Sequence, residues 1–250
     1  MTPDILIYDD YVFNHGVLYR SLCDYYGRDR VSFCNADNII NGCLANNIKL
    51  FVMPGGADLY YCEKLNGTGN QDIRQYIEDG GNYLGICAGA YYACREIEWG
   101  KNTGQEIVGP RELNFIECLA IGPVYEFIQN QNIDHSWKKA VQLEIEAENF
   151  LCYYNGGPVF VNIDEGTNIL GTYTELEGHP AAIIEKKVGK GHVILSSPHI
   201  ECGSSDIQQT LYSLNNPFYE DELKIIKKIE RYDTKRRSAF ESLLKRFNRN

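Results

Sequence analysis

The feature that most constrains the fold is a series of short apolar segments, closed by glycine, proline or acidic residues and separated by stretches of helical period. Asp4–Asp10 (DILIYDD), Val31–Asn35, Lys49–Met53 (KLFVM) and Tyr83–Ile86 read as strands. Helices are predicted over Gly16–Tyr26, around Ile73, Tyr76 and Ile77, and over Ala88–Glu98. Apolar strands alternating with helices imply βαβ units, a parallel sheet and right-handed crossovers. The second half is richer in strands: Val141–Ile145, Leu151–Tyr154, Val159–Val161 and Ile169–Tyr173 look extended. Ala181–Lys187 and His192–Ser196 flank Val188-Gly189-Lys190-Gly191, a hairpin turn signal. Asn215-Asn216-Pro217 then breaks the pattern, and from Phe218 the spacing of Leu223, Ile225, Ile226, Ile229, Phe240, Leu243, Leu244 and Phe247 is helical.

Charge narrows the partners. The net charge is −10, yet residues 219–250 hold ten Lys/Arg against six Asp/Glu, which leaves 14 basic and 28 acidic residues in the remainder. An acidic body of that kind does not offer nucleic acid a broad surface. No apolar run approaches the length of a membrane span, so no integral membrane association is expected. MTPDILIYDD lacks the basic-then-apolar layout of a secretion signal. The nine cysteines are odd in number and include no C-x-x-C pair, which argues against a structural zinc site and for free thiols in a reducing cytoplasm.

Gly85-Ile86-Cys87-Ala88-Gly89 joins a strand to a helix with small residues on both sides of a nucleophilic type. That is what a nucleophile elbow requires, since a strained turn tolerates only tiny neighbours. N–H groups at a helix start favour a thiolate there. A buried thiol on a tight turn fits the motif alone equally well. A thiolate relay needs a base and the base needs an orienter. His199 follows the strand His192–Ser196 and has Glu201 two residues on, so in an extended loop both project to the same side. Met53-Pro54-Gly55-Gly56 ends another parallel strand and reaches the same sheet edge, where Gly55, Gly56 and Ala88 can offer oxyanion-hole N–H groups. Pro-Gly-Gly also serves as a plain turn.

In order along the chain, the stretches Tyr83–Ala93, Val108-Gly109-Pro110-Arg111-Glu112-Leu113, Tyr154-Asn155-Gly156-Gly157-Pro158, Gly189-Lys190-Gly191 and Pro198-His199-Ile200-Glu201 resemble the domain found at the N-terminus of eukaryotic biotin–protein ligases and as stand-alone bacterial proteins. That domain is a branch of the class I glutamine amidotransferase-like superfamily, and the likeness spans roughly residues 4 to 202. The resemblance implies a flavodoxin-like α/β fold with a mostly parallel central sheet flanked by helices, here with a strand-rich C-terminal half. The break at Asn215-Asn216-Pro217 divides the chain into an amidotransferase-like domain, 1–217, and a basic amphipathic helical extension, 218–250, expected to pack on it. The resemblance also implies Cys87, His199 and Glu201 as nucleophile, base and orienter.

Two departures limit what carries over. Tyr91 stands where glutamine amidotransferases usually carry Gln, which argues against glutamine as substrate, and no Gly/Arg-rich loop for biotinyl-adenylate occurs. The expected activity is a cysteine-dependent hydrolase or amide/acyl transferase on a small-molecule or peptide amide or ester, without a cofactor. The competing expectation is a silent ligand-binding or regulatory module on the same fold. Tyr91, Asn155, Gly156 and Arg111 are candidate substrate contacts; for Asn155-Gly156-Gly157 a hairpin turn, and for Arg111 a surface salt bridge, are the structural alternatives. The C-terminal helix could also serve a protein partner.

Overall fold

A computed structural model describes residues 3–13, 15–45, 47–210 and 218–248; the predicted break at Asn215–Pro217 lies outside them. The first half follows β1 (Ile5–Tyr8), α1 (His15–Tyr26), β2 (Val31–Cys34), α2 (Ala36–Ile40), β3 (Leu50–Met53), α3 (Asp58–Leu65), α4 (Thr68–Glu78), β4 (Asn82–Ile86) and α5 (Ala88–Tyr92). There follow β5 (Cys94–Trp99), β6 (Ile107–Pro110), β7 (Ile116–Gly122), β8 (Lys138–Ile145), β9 (Glu148–Asn155), β10 (Val159–Val161), β11 (Thr167–Tyr173), β12 (Ala181–Val188) and β13 (Gly191–Ser196). Helices α6 (Ser204–Thr210), α7 (Tyr219–Ile229) and α8 (Asp233–Arg246) complete the described chain.

The sheet runs β2-β1-β3-β4-β13-β12-β10-β7-β5-β6, and its first five strands are mutually parallel. This is the flavodoxin strand order, with β13 in the fifth place. Side chains alternate between faces, as the two-residue period of a strand demands. Leu6, Tyr8, Phe51, Met53, Tyr83, Val193 and Leu195 pack with Ile39, Leu65, Ile73 and Ile77 on one side. Ile5, Ile7, Val52, Leu84, Ile86 and Ile194 pack with Leu18 and Leu22 of α1 on the other. Burial on both faces is why these strands are apolar throughout.

The predicted hairpin pairs Val188 with Gly191 across Gly189-Lys190. Gly189 has φ +57°, and a Cβ there would fall 2.7 Å from Glu78 Cα. On the same face as α1, the antiparallel pair β8–β9 contributes Val141, Leu143 and Phe150. Helix α8 closes that face with Phe240, Leu243 and Leu244, joined by Phe247 just beyond its end. The apolar stripe of the tail is therefore occupied by this chain's own sheet, while Ile225, Ile226 and Ile229 of α7 pack beside Tyr153 and Cys202.

The predicted helix over Ala88–Glu98 is shorter than expected. It ends at Tyr92, and Cys94–Trp99 is a strand parallel to β7 and antiparallel to β6. The Ala93 carbonyl accepts from the N–H groups of Phe115 and Ile116, at 2.8 and 3.2 Å, so it cannot serve a further helical turn. Sheet pairing overrides local propensity here. The Asn155-Gly156-Gly157 segment is not a hairpin turn either, because β9 pairs with β8 whereas β10 pairs with β7 and β12. Among the described residues no helix is long and apolar enough to cross a membrane.

Candidate active site

Three loops meet at one edge because their strands are parallel neighbours. Met53 lies level with Gly85, and Ser196 with Ile86, so the segments after β3, β4 and β13 emerge side by side. Cys87 occupies the turn between β4 and α5 with φ +51° and ψ −105°. That backbone conformation costs an L-residue about 1–3 kcal/mol and persists only where its surroundings impose it. The impositions are visible. Cys87 N–H donates to Ser196 O at 2.8 Å, its carbonyl accepts from Ala90 and Tyr91, and Gly89 N–H donates to Pro54 O at 3.0 Å. A Cβ on Gly85 would collide with Gly89 O, and one on Gly89 with Met53 O, which explains the glycine on either side of the cysteine.

His199 and Glu201 are buried, with Nδ1 and Oε1 2.8 Å apart. The backbone N–H of His199 donates to Tyr153 O at 2.9 Å, fixing the loop against β9. Burial pushes the His199 imidazolium down, but the Glu201 charge and hydrogen bonding to Cys202, Cys87 and Glu201 outweigh it and raise the ring well above its ordinary range. The thiol is shared: besides its interaction with His199, Cys87 Sγ donates to Asn155 O at 3.5 Å. Gly55 lies against both groups, since a Cβ on it would be 3.4 Å from His199 Nε2 and 3.5 Å from Cys87 Cβ. The Gly55 carbonyl accepts from Phe13 N–H, whereas the N–H groups of Gly56 and Ala88 meet no acceptor among the described residues. Gly56 and Ala88 both line the cleft above the thiol.

That cleft encloses about 500 Å³ and is bounded by Cys87, His199, Asn155, Tyr91, Trp99 and Trp137, among others. A depression of about 600 Å³ beside Arg20, Asp24 and Arg237 has neither Cys87 nor a histidine in its wall among the described residues. Tyr91 and Tyr92 divide as neighbouring helical residues should. Tyr91 faces the cleft and donates its hydroxyl to Gly156 O at 3.1 Å, while Tyr92 points into the core and donates to Asn70 Oδ1 at 2.6 Å.

Arg111 departs from expectation. It is not a surface group and does not line the cleft; it is buried, with Nε donating to Asp58 Oδ2 at 2.6 Å. Asp58 does reach the cleft wall, and burial raises its pKa against the opposing effect of Arg111. Two further features leave no local trace in the sequence. Trp99 and Trp137 meet edge to face with ring centroids 4.9 Å apart, although nothing in their neighbourhoods predicts that they converge. Buried tyrosines anchor the site's loops: Tyr61 donates to Pro54 O, Tyr83 to Gly89 O and Tyr154 to Gly157 O. Part of the chain's high tyrosine content thus holds carbonyls in place around the cysteine.

His199, Glu201 and Cys202 are also the group among the described residues whose metal-ligating atoms all fall within 4.8 Å of one another. The imidazole–carboxylate bond engages two of the same atoms. All nine cysteines are free.

The profile of the family described as "Biotin-protein ligase, N terminal" matches residues 10–249. An uncharacterized protein of Chlamydia muridarum is 34% identical over 208 residues, covering 79% of this chain and 80% of that protein. The biotin–protein ligase of Schizosaccharomyces pombe is 31% identical over 159 residues, which make up 61% of this chain but only 25% of the ligase. A glutamine amidotransferase from Thermotoga maritima superposes over 100% of both chains with a TM-score of 0.57 and 14% identity. A second glutamine amidotransferase structure covers 89% of this chain and 98% of its own, with a TM-score of 0.54 and 19% identity. At such identities the structural likeness is one of fold.

Proposed function

Because this chain belongs to the family of biotin–protein ligase N-terminal domains and has an amidotransferase-like fold, we propose that it is a cysteine-dependent hydrolase or amide/acyl transferase with Cys87, His199 and Glu201 as its triad. The observation that carries the reading is the strained backbone of Cys87, φ +51°, held beside a buried His199–Glu201 pair. Cys87 would pass its proton to His199 and attack an amide or ester carbonyl carbon, forming a C–S bond. The carbonyl oxygen, now anionic, would accept from the Gly56 and Ala88 N–H groups, with Gly55 keeping the approach open. Collapse breaks the C–N or C–O bond, and the leaving group takes the imidazolium proton. Water or an acceptor amine then gives its proton to His199 as it attacks the thioester; the C–S bond breaks and the proton returns to the thiol. Glu201 orients the ring.

Biotin ligation by this chain alone is not part of the proposal, since the match covers a quarter of the ligase. The nine unpaired thiols support a reducing, cytoplasmic setting. A second reading, a ligand-binding or regulatory module without turnover, draws on the Cys87 thiol being directed at Asn155 O.

One experiment separates the two. Iodoacetamide alkylation at pH 6, followed by peptide mapping, should modify Cys87 ahead of the other eight cysteines, and His199→Ala should slow it at least tenfold. Equal modification of Cys87 in wild type and His199→Ala would leave the catalytic reading without support. Trapping an acyl adduct on Cys87 from a metabolite pool, weighed by intact mass, would identify the group transferred.

A further inference from the structure

We propose that the Cys87 cleft selects an uncharged amide or ester that carries an aromatic or bulky apolar body, and that Trp99 and Trp137 are its specificity-determining residues. The inference rests on Cys87 being a nucleophile. Both tryptophans of the chain stand in the wall of this one cleft, each only partly buried and crossed edge to face at 4.9 Å. Tyr91 packs against Trp99 with centroids 5.9 Å apart, and Leu59, Ile97 and Ile107 extend the apolar surface. Partly exposed aromatic side chains gathered in a concave wall beside a reactive group mark a ligand site, because an apolar cleft left open to water gains free energy when an apolar ligand covers it.

The backbone is shaped to seat these rings. Gly156 has φ +79°, and a Cβ on it would lie 2.9 Å from Trp99 and 3.4 Å from Trp137, so only glycine lets the indoles rest on that loop. Trp137 is held in turn by its Nε1, which donates to Ile133 O at 2.8 Å.

The polar inventory points the same way. A zwitterionic amino acid such as glutamine must bury a carboxylate and an ammonium, and each needs an opposite charge. Among the described residues no lysine or arginine lines the cleft, and the His199 imidazole in its wall is already paired with Glu201. Asp58, the carboxylate in its wall, is committed to Arg111 at 2.6 Å and is not free to receive an ammonium. At the position where a glutamine pocket would present an amide, Tyr91 presents a ring whose hydroxyl is already given to Gly156 O. Gln105, whose Nε2 donates to Asp134, and Asn155 add uncharged polar groups, so what remains for a substrate is a largely apolar, uncharged wall ending at the thiol, with the Gly56 and Ala88 N–H groups for its carbonyl.

The test compares iodoacetamide with N-benzyl-iodoacetamide on the full chain. Rates are read at Cys87 by peptide mapping and normalised to each reagent's rate with glutathione. The expected normalised preference for the benzyl reagent is roughly tenfold or more, falling towards unity in Trp99→Ala and Trp137→Ala when each benzyl rate is divided by that variant's own iodoacetamide rate. N-benzylacetamide should protect Cys87 from iodoacetamide and glutamine should not. A normalised ratio near unity in the wild type, or protection by glutamine but not by N-benzylacetamide, would overturn the inference, and both are read without any variant. Failure of the underlying nucleophile reading looks different: Cys87 would then show no enhanced rate with iodoacetamide itself.

Discussion

A Cβ added to Gly55 would sit 2.7 Å from Cε1 of His199, so the absence of that one carbon is what lets the imidazole stand beside Cys87. The neighbour in conflict is a ring fixed by Glu201 and by its own backbone bond to Tyr153, not the free end of a flexible chain. Gly55→Ala should therefore displace His199 rather than unfold the protein. Displacements of about 1 Å in a reacting group cost on the order of 100-fold in rate. Cys87 alkylation and any turnover should fall by about that factor, with far-UV circular dichroism unchanged.

The His199–Glu201 pair carries a pH signature. The folded imidazole titrates above its ordinary 6.5. A raised folded pKa adds stability that is complete below about pH 6.5 and is lost as pH rises through the folded value. In thermal melts across pH 5 to 9, the wild type should lose this contribution on the alkaline side, whereas His199→Gln should show a flatter profile there. Identical profiles would mean that the imidazolium is not stabilised in the folded state.

Tyr91 positions the loop that faces the thiol. Its hydroxyl bond to Gly156 O at 3.1 Å holds the segment whose Asn155 carbonyl accepts from the Cys87 thiol. Tyr91→Phe removes one buried hydrogen bond and leaves a carbonyl unpaired, a loss of about 1–3 kcal/mol in stability. The melting temperature should drop by a few degrees, and Cys87 reactivity should change in the same variant. A stability loss with unchanged reactivity would reduce Tyr91 to a packing residue.

The C-terminal helices share their core with the body, and that sharing is open to test. Phe240 is almost fully buried in the same cluster as Ile5, Ile7 and Leu18. Truncating a core phenylalanine to alanine costs about 3–5 kcal/mol. Phe240→Ala should lower a single cooperative melting transition. A separate early transition, with the remainder unaffected, would mean that the helices fold as their own unit.

The parallel core was legible because its strands are apolar on both faces and its turns are written in glycine and proline. The elbow was legible for a related reason: Gly85 and Gly89 are required by backbone contacts within a few residues or across one strand, and such needs leave a local trace. What did not show was anything fixed by distant pairing. Ala93 gives its carbonyl to Phe115 and Ile116, and only that long-range contact converts the expected helix after Tyr92 into β5. Arg111 reads in the sequence as a substrate contact or a surface salt bridge, because its buried partner, Asp58, is 53 positions away in the chain. The meeting of Trp99 and Trp137 has the same character, arising from β5 and from the segment before β8.

The seal that α8 places over one face of the sheet has a consequence for biogenesis. A ribosome delivers Ile5, Ile7 and Leu50 early, and Phe240, Leu243 and Leu244 only after all the described strands have been made. Until then that side of the nascent sheet is uncovered and sticky, the condition under which chains aggregate or recruit chaperones. Premature termination anywhere between Glu201 and α8 would yield a polypeptide carrying both the cysteine elbow and its histidine partner yet missing the lid of its core. Such a fragment is a natural substrate for quality-control proteolysis.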